Sequence, residues 1–326
     1  METSSDIFIC ALLFDGQGGA QSLDIEQIQN WQPEQGLLWL HIDCANEAGR
    51  QWLVNESGID EVLSTALLDE DTRPRVTHFS AQQSLVFLRG VNLAEGAEPE
   101  DMVSLRILAT RERILTTRWR KLMSVSDIIS ALKSGEGPIS TSDFLAQISD
   151  LLLSRIDTVV EELEEQMGEL EETLIDENAQ RLRGDLMALR RRSIKLRRYL
   201  GPQREALAKL ATERRSWIDE DSRPQLQECT DRLVRFVEEL DAIRERAIVA
   251  QEELTSQVSD QMNQRMYVMS LIAAIFLPLS FITGLLGINV GGIPGGQSSL
   301  GFAVVSVLLI IIAGLILTLF KSKKWF

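Results

Sequence analysis

The chain has 326 residues, a quarter of them charged, with a formal net charge of −15 and a pI near 4.7. So acidic a balance excludes a nucleic-acid binder, because phosphate contacts need basic patches. Its three cysteines, at unrelated spacings, neither frame a disulfide scaffold nor match a zinc-finger pattern, and a reducing compartment is expected.

The chain opens on METSSDIF, which has no basic start and no early apolar stretch, so no signal peptide is expected. Residues 1–140 alternate short strand-like and helix-like runs. DIFICALLF (6–14), LLWLHIDC (37–44), AQQSLVFLRGVNL (81–93) and VSLRILATRERILTTRW (103–119) are rich in Val, Ile, Leu and Thr. ATRERILTT reads as a hairpin turning at Arg111–Arg113, and SGIDEVLSTALLDE reads as a helix. This predicts a cytoplasmic α/β domain, large enough to bury a core, with the strand order open. It has no Walker loop and no GxSxG, and His41 and His78, the only histidines, are expected to be structural or surface residues. Cys10 and Cys44 lie in apolar strand-like runs and are expected to pack in the core. No catalytic residue, no enzyme activity and no resident cofactor is expected.

Residues 141–223 are predicted to be charged cytoplasmic helices. Asp157–Glu177 carries ten carboxylates, and Arg181–Arg215 carries twelve Arg or Lys. The two read as an antiparallel pair held partly by complementary charge. Two other readings stay open: simply solvated faces, or an acidic helix that concentrates cations near a translocation path.

From Pro224, a residue favoured at helix starts, the next Gly or Pro is Pro278. Residues 224–288 are therefore expected to form one stalk helix that continues into a first membrane span. A rod over 225–287 would be on the order of 95 Å long. Its cytosolic half carries a heptad seam: Leu226, Leu233, Leu240, Ala247 and Leu254, with Cys229, Phe236, Ile243 and Ala250 three residues after the first four. Cys229 is thus a packing residue. A second stripe steps along another face through Glu238, Ala242, Glu245, Val249, Glu252, Ser256, Ser259 and Asn263. It continues as Met266, Ser270, Ala273, Leu277, Ser280 and Gly284. A lone helix in lipid has no need of a small, partly polar stripe. A helix lining a pore has, because that face meets water and copies of itself. Two spans cannot enclose a pore, so several identical chains are required.

Between Arg265 and Lys321 lie 55 residues without an Asp, Glu, Lys, Arg or His. Met266–Ile288 and Ser299–Phe320 would give roughly 34 and 33 Å of helix, enough for two bilayer crossings. The spans exclude a soluble enzyme. The second span is placed at 299–320, after a non-cytoplasmic loop at 289–298. The tail 321–326, KSKKWF, puts Lys321, Lys323 and Lys324 beside Trp325, a positive-inside signature with an aromatic anchor. Both termini are then expected in the cytosol.

NQRMYVMSLIAAIFLPLSFITGLLGIN, followed by a short loop and a second span ending in KSKKWF, resembles the CorA superfamily of divalent-cation channels and transporters. The resemblance runs over essentially the whole chain. Its most specific element is Gly287-Ile288-Asn289, at the position of the family's Gly-x-Asn signature. The magnesium branch typically has Met in the middle, Tyr before the motif and acidic residues after it. Here Leu286 precedes and VGGIPGG follows, a neutral version similar to the zinc-transporting ZntB branch. The resemblance implies a funnel-shaped homopentamer in the bacterial inner membrane, associated with proton-coupled uptake. Each chain would line the pore with its first span, with Asn263, Met266, Leu277, Ser280, Gly284 and Asn289 on pore-lining positions.

Five Asn289 amide oxygens, with Gly287 carbonyls, could hydrogen-bond the waters of an incoming hydrated cation without trapping it. If Glu238, Glu245 and Glu252 also face the axis, five copies stack acidic rings below the membrane and link metal occupancy to proton release. The alternative puts these glutamates on the outer face, paired with arginines of the basic helix. Zinc usually takes His and Cys ligands, and neither lines the proposed pore, so zinc rests on the family likeness.

Overall fold

The structure is a computed structural model that describes residues 7–70, 72–173, 179–213, 217–288 and 298–322. The chain divides into two compact units, Met1–Gln251 and Glu252–Phe326.

The first unit is built on a seven-stranded sheet. The strands are β1 (Phe8–Phe14), β2 (Ala20–Ser22), β3 (Leu38–Asp43), β4 (Arg75–His78), β5 (Ser84–Gly90), β6 (Val103–Ala109) and β7 (Arg113–Arg118), in the order β2-β1-β3-β7-β6-β5-β4. The β3–β7 pair is parallel and every other pair antiparallel. The β6–β7 hairpin turns at Arg111–Glu112, closed by Thr110 N–H donating to the Arg113 carbonyl at 2.9 Å.

Strand alternation sends successive side chains of β3 to opposite faces. Leu38, Leu40 and Ile42 join a core with Trp52 and Leu53 of α2 (Glu47–Asn55) and Leu63 and Leu67 of α3 (Glu61–Leu68). Trp39 turns the other way, its ring 4.9 Å from that of Phe144. Phe144 belongs to α5 (Thr141–Thr173), which follows α4 (Met123–Ser134); the short α1 (Ile25–Gln29) lies earlier in the chain. With both faces covered, β5 and β6 are buried along their whole length, which explains their near-continuous apolar runs. Gly90 marks the close approach of α5: a Cβ there would come within 2.6 Å of Leu152 and 2.9 Å of Leu122.

His41 is fully buried, as are Cys44 and Cys229, and Cys10 is half-buried. The Thr116 hydroxyl receives the Trp39 indole N–H at 2.9 Å and lies 2.7 Å from His41 Nδ1. His78 is held against Ser84 and Glu213.

Three long helices complete the order: α5, α6 (Ala179–Thr212) and α7 (Arg223–Gly287), a single helix of 65 residues. Proline lies inside α6 at Pro202 and inside α7 at Pro278. In the second unit the described elements are the C-terminal part of α7 and α8 (Gly301–Ser322). Both α7 and α8 contain a stretch long and apolar enough to cross a membrane, and neither stretch is buried.

Candidate functional site

The long helix α7 presents two faces with different fates. All nine seam residues are buried, from Leu226 to Leu254 and from Cys229 to Ala250, none more than 6% exposed. The seam is what ties the N-terminal half of α7 to its own unit. The second stripe behaves in the opposite way. Glu238, Ala242, Glu245, Val249, Glu252, Ser256, Ser259 and Asn263 are all exposed, and so are Met266, Ser270, Ala273, Leu277, Ser280 and Gly284. A Cβ added at Gly284 would meet nothing within 4 Å. In the charged half exposure sets the stripe apart from the seam; beyond Leu254 no described residue of the helix is buried, and there the stripe is marked by its small side chains alone.

Gly287 is the last residue of α7 and Ile288, half exposed, follows it. Asn289 lies outside the described residues, as do Lys323 and Lys324. Lys321 is exposed in the last turn of α8.

The charged rows pair differently from the sequence expectation. Among the described residues, the carboxylates of α5 pair with α7 and not with the basic helix α6. Arg232 reaches Asp150 at 2.6 Å and Asp157 at 3.4 Å. Fourteen residues on, Arg246 reaches Glu171 at 2.5 Å and Glu164 at 4.0 Å. Both partners advance together, so α5 and α7 run in the same direction. The bases of α6 find their carboxylates elsewhere, Arg192 at Glu100 (3.3 Å), Lys195 at Asp101 (3.2 Å) and Arg197 at Asp241 (2.5 Å), while Arg192 Nη1 also donates to the amide oxygen of Gln166 on α5 at 2.9 Å.

Halfway between the two arginines stands Glu239, where an arginine would complete the row. Burial, and then the charges of Glu164 and Asp157, push its carboxyl above the usual carboxylate range. Glu171 is shifted the other way, its carboxyl lowered by the hydrogen bond from Arg246. Sequence reading missed these contacts. The available signal was the seven-residue recurrence of Arg232, Glu239 and Arg246, matched by Asp150, Asp157, Glu164 and Glu171.

Glu238, Glu245 and Glu252 lie a heptad apart, roughly 10 Å along the helix from one to the next. Glu245 contacts Arg244 of its own helix at 2.7 Å, and among the described residues no ion pair joins these glutamates to basic-helix arginines. Among the described residues no three His, Cys, Asp or Glu side chains are placed to hold a metal ion. A single copy of the three glutamates therefore brings no metal ligands together.

The family described as CorA-like Mg2+ transporter protein matches residues 34–323. The chain is 41% identical over 320 residues to the divalent cation transporter CmaX of Pseudomonas aeruginosa, covering 97% of this chain and 96% of that protein. It is 36% identical over 311 residues to the zinc transport protein ZntB of Yersinia enterocolitica, covering 95% of this chain and 94% of that one. The solved structure of full-length CmaX superposes with a TM-score of 0.86 at 40% identity, covering 98% of each chain.

Proposed function

Since this chain belongs to the family of CorA-like Mg2+ transporter proteins and is a divalent-cation transporter, not an enzyme, we propose that zinc is the ion it carries. The proposed route is a pore lined by the first span of five identical chains in the bacterial inner membrane, with both termini in the cytosol. The observation that supports the pore is the row of small residues at helical spacing in the apolar half of α7, in line with the exposed Glu238, Glu245 and Glu252 of its charged half. Four of the six stripe positions in the apolar half, Ser270, Ala273, Ser280 and Gly284, are small and suit close helix approach around a wet path, with Met266 and Leu277 as the two large ones.

At the mouth, Asn289 and the Gly287 carbonyls hold the waters of an incoming ion, which keeps capture weak enough for release. Inward movement of a dication gains about 4.6 kcal/mol per 100 mV, from about 2.3 per charge. No further energy source is needed for accumulation, and a proton gradient can add to it. Below the span, Glu238, Glu245 and Glu252 from five copies form acidic rings that attract the cation and exchange it for protons. Changing all three to Gln should flatten the pH dependence of flux; a triple variant with the wild-type pH response removes the rings from the mechanism.

Zinc is supported by the ZntB relatives and by the neutral VGGIPGG segment after the motif. A second reading, a magnesium, cobalt or nickel channel of the same fold, is favoured by the stripe itself, which offers no His or Cys to zinc. Efflux is the alternative direction. Radiolabelled zinc and magnesium flux into proteoliposomes, with an imposed potential of either sign, separates these readings. Saturable zinc entry exceeding magnesium supports the proposal. Magnesium entry without zinc entry would sink it.

A further inference from the structure

The α/β unit holds a cavity of about 300 Å3 that the transport reading does not use, lined on its apolar side by Trp31, Ile59, Leu63 and Leu108. The Trp31 indole N–H is anchored on the Gly36 carbonyl at 3.2 Å. Arg113 lines the same cavity from the start of β7.

The guanidinium of Arg113 is under-satisfied. Nη1 donates to the Ser57 carbonyl at 3.0 Å, while Nε is buried with no hydrogen-bond partner among the described residues. Nη2 makes no hydrogen bond there, and no carboxylate pairs with the group. Burial alone pulls its pKa below the ordinary guanidinium value. The two acids of the lining do not compensate it. Asp60 turns its Oδ1 to the Val62 N–H at 2.8 Å, as the cap of α3, and Glu112 is exposed. The half-buried guanidinium has no counter-charge among the described residues, and an anion delivered into the cavity supplies one.

We propose that this cavity binds a small monocarboxylate with an apolar body, its carboxylate on Arg113 and its body against Trp31, Ile59 and Leu63. The planar fork of an arginine matches a carboxylate. The volume lies at the small end of ligand sites and suits a ligand well below drug size. One arginine in so small a space has room for one carboxylate, which selects a monocarboxylate over a dicarboxylate. The site is independent of the transport reading, and its failure would leave that reading untouched.

The test is ligand-observed NMR titration of the full chain in nanodiscs with benzoate, and with benzamide as the neutral counterpart. Saturable benzoate binding, absent for benzamide, is expected. Arg113→Gln should weaken it at least tenfold, the equivalent of about 1.4 kcal/mol. Ile59→Trp, which fills the cavity and leaves the Arg113 contact with Ser57 in place, should abolish it, and it carries the test if Arg113→Gln does not fold. Three results would overturn the site: no saturable benzoate binding up to roughly 50 mM, the weak end of fragment affinity; equal binding of benzamide; or unchanged benzoate binding in folded Ile59→Trp.

Discussion

Arg246 of α7 grips Glu171 of α5 with both arms of its guanidinium, Nε to Oε1 at 3.0 Å and Nη2 to Oε2 at 2.5 Å. The two residues are 75 positions apart in the chain. With Arg232 on Asp150 and Asp157, this contact pins the register of two helices that run side by side.

Both side chains of that pair are more than a third exposed, so water and salt screen it. Arg246→Ala should cost about 0.5–1 kcal/mol at low ionic strength. In thermal unfolding of the detergent-solubilised chain, the wild-type advantage should shrink as salt is raised. A double variant with Glu171→Ala that loses no more than either single variant would confirm that the two act together. Additive losses would contradict it.

Glu239 interrupts the row of arginines and sits against like charges. An acid whose folded pKa is raised burdens the fold when ionised, and the burden lifts as pH falls through that raised value. Glu239→Gln should therefore raise the melting temperature near neutral pH, by the equivalent of about 0.5 kcal/mol. The gain should vanish in the acidic carboxylate range. A variant less stable than wild type at neutral pH would mean that Glu239 has a favourable partner.

His41 is buried against Thr116, and burial, with Arg118 nearby, lowers its pKa from 6.5 to about 3. Only the unfolded chain takes up this proton between those values, so acid favours unfolding. Below pH 6.5 this residue alone should remove about 1.4 kcal/mol of stability per pH unit. The acid slope of melting temperature against pH should be shallower in His41→Gln, whatever its absolute stability. Equal slopes would refute the assignment.

Gly284 has open space around it within one chain. Gly284→Leu should therefore leave the fold of the single chain intact, since no neighbour is displaced. Loss of flux or of assembly would then report contacts between copies or with the ion path. Native mass spectrometry should give five copies for wild type. A variant with full flux and full assembly would take Gly284 off the pore.

Asn289→Ala removes a water-directed carbonyl oxygen and should nearly abolish zinc flux while five copies still assemble. Wild-type flux in an assembled Asn289→Ala protein would exclude it as the entry determinant.

Strands β1, β3, β5, β6 and β7 were readable because each is a short apolar run cut off by turn residues, whereas β2, Ala-Gln-Ser at the other sheet edge, was not. LLWLHIDC holds β3, and ATRERILTT holds the β6–β7 turn. The α7 seam was readable because the period of seven survives over four heptads. β4 was not, since Arg-Val-Thr-His is short, polar and at the sheet edge, where pairing with β5 and cover by α6 decide its state. The parallel β3–β7 pair is also invisible in a linear reading, because nothing local encodes a contact across 75 residues. The charged helices misled for a related reason. The acidic and basic helices do pack together, yet the arginines that engage the carboxylates of α5 stand further on, in a helix chosen for its apolar seam. The single long helix that carries the stripe was legible because no Gly or Pro interrupts it between Pro224 and Pro278.

Pro278 has no N–H, so the carbonyl of Ala274, four residues back, loses its usual donor inside the apolar stretch of α7. Hydrocarbon offers nothing in exchange, and a bare carbonyl there is costly. The first span is thereby obliged to keep company at that level, whether with a hydroxyl, a neighbouring helix or a water molecule. A segment without a single charged residue still holds one oxygen that asks for moisture, midway between its ends.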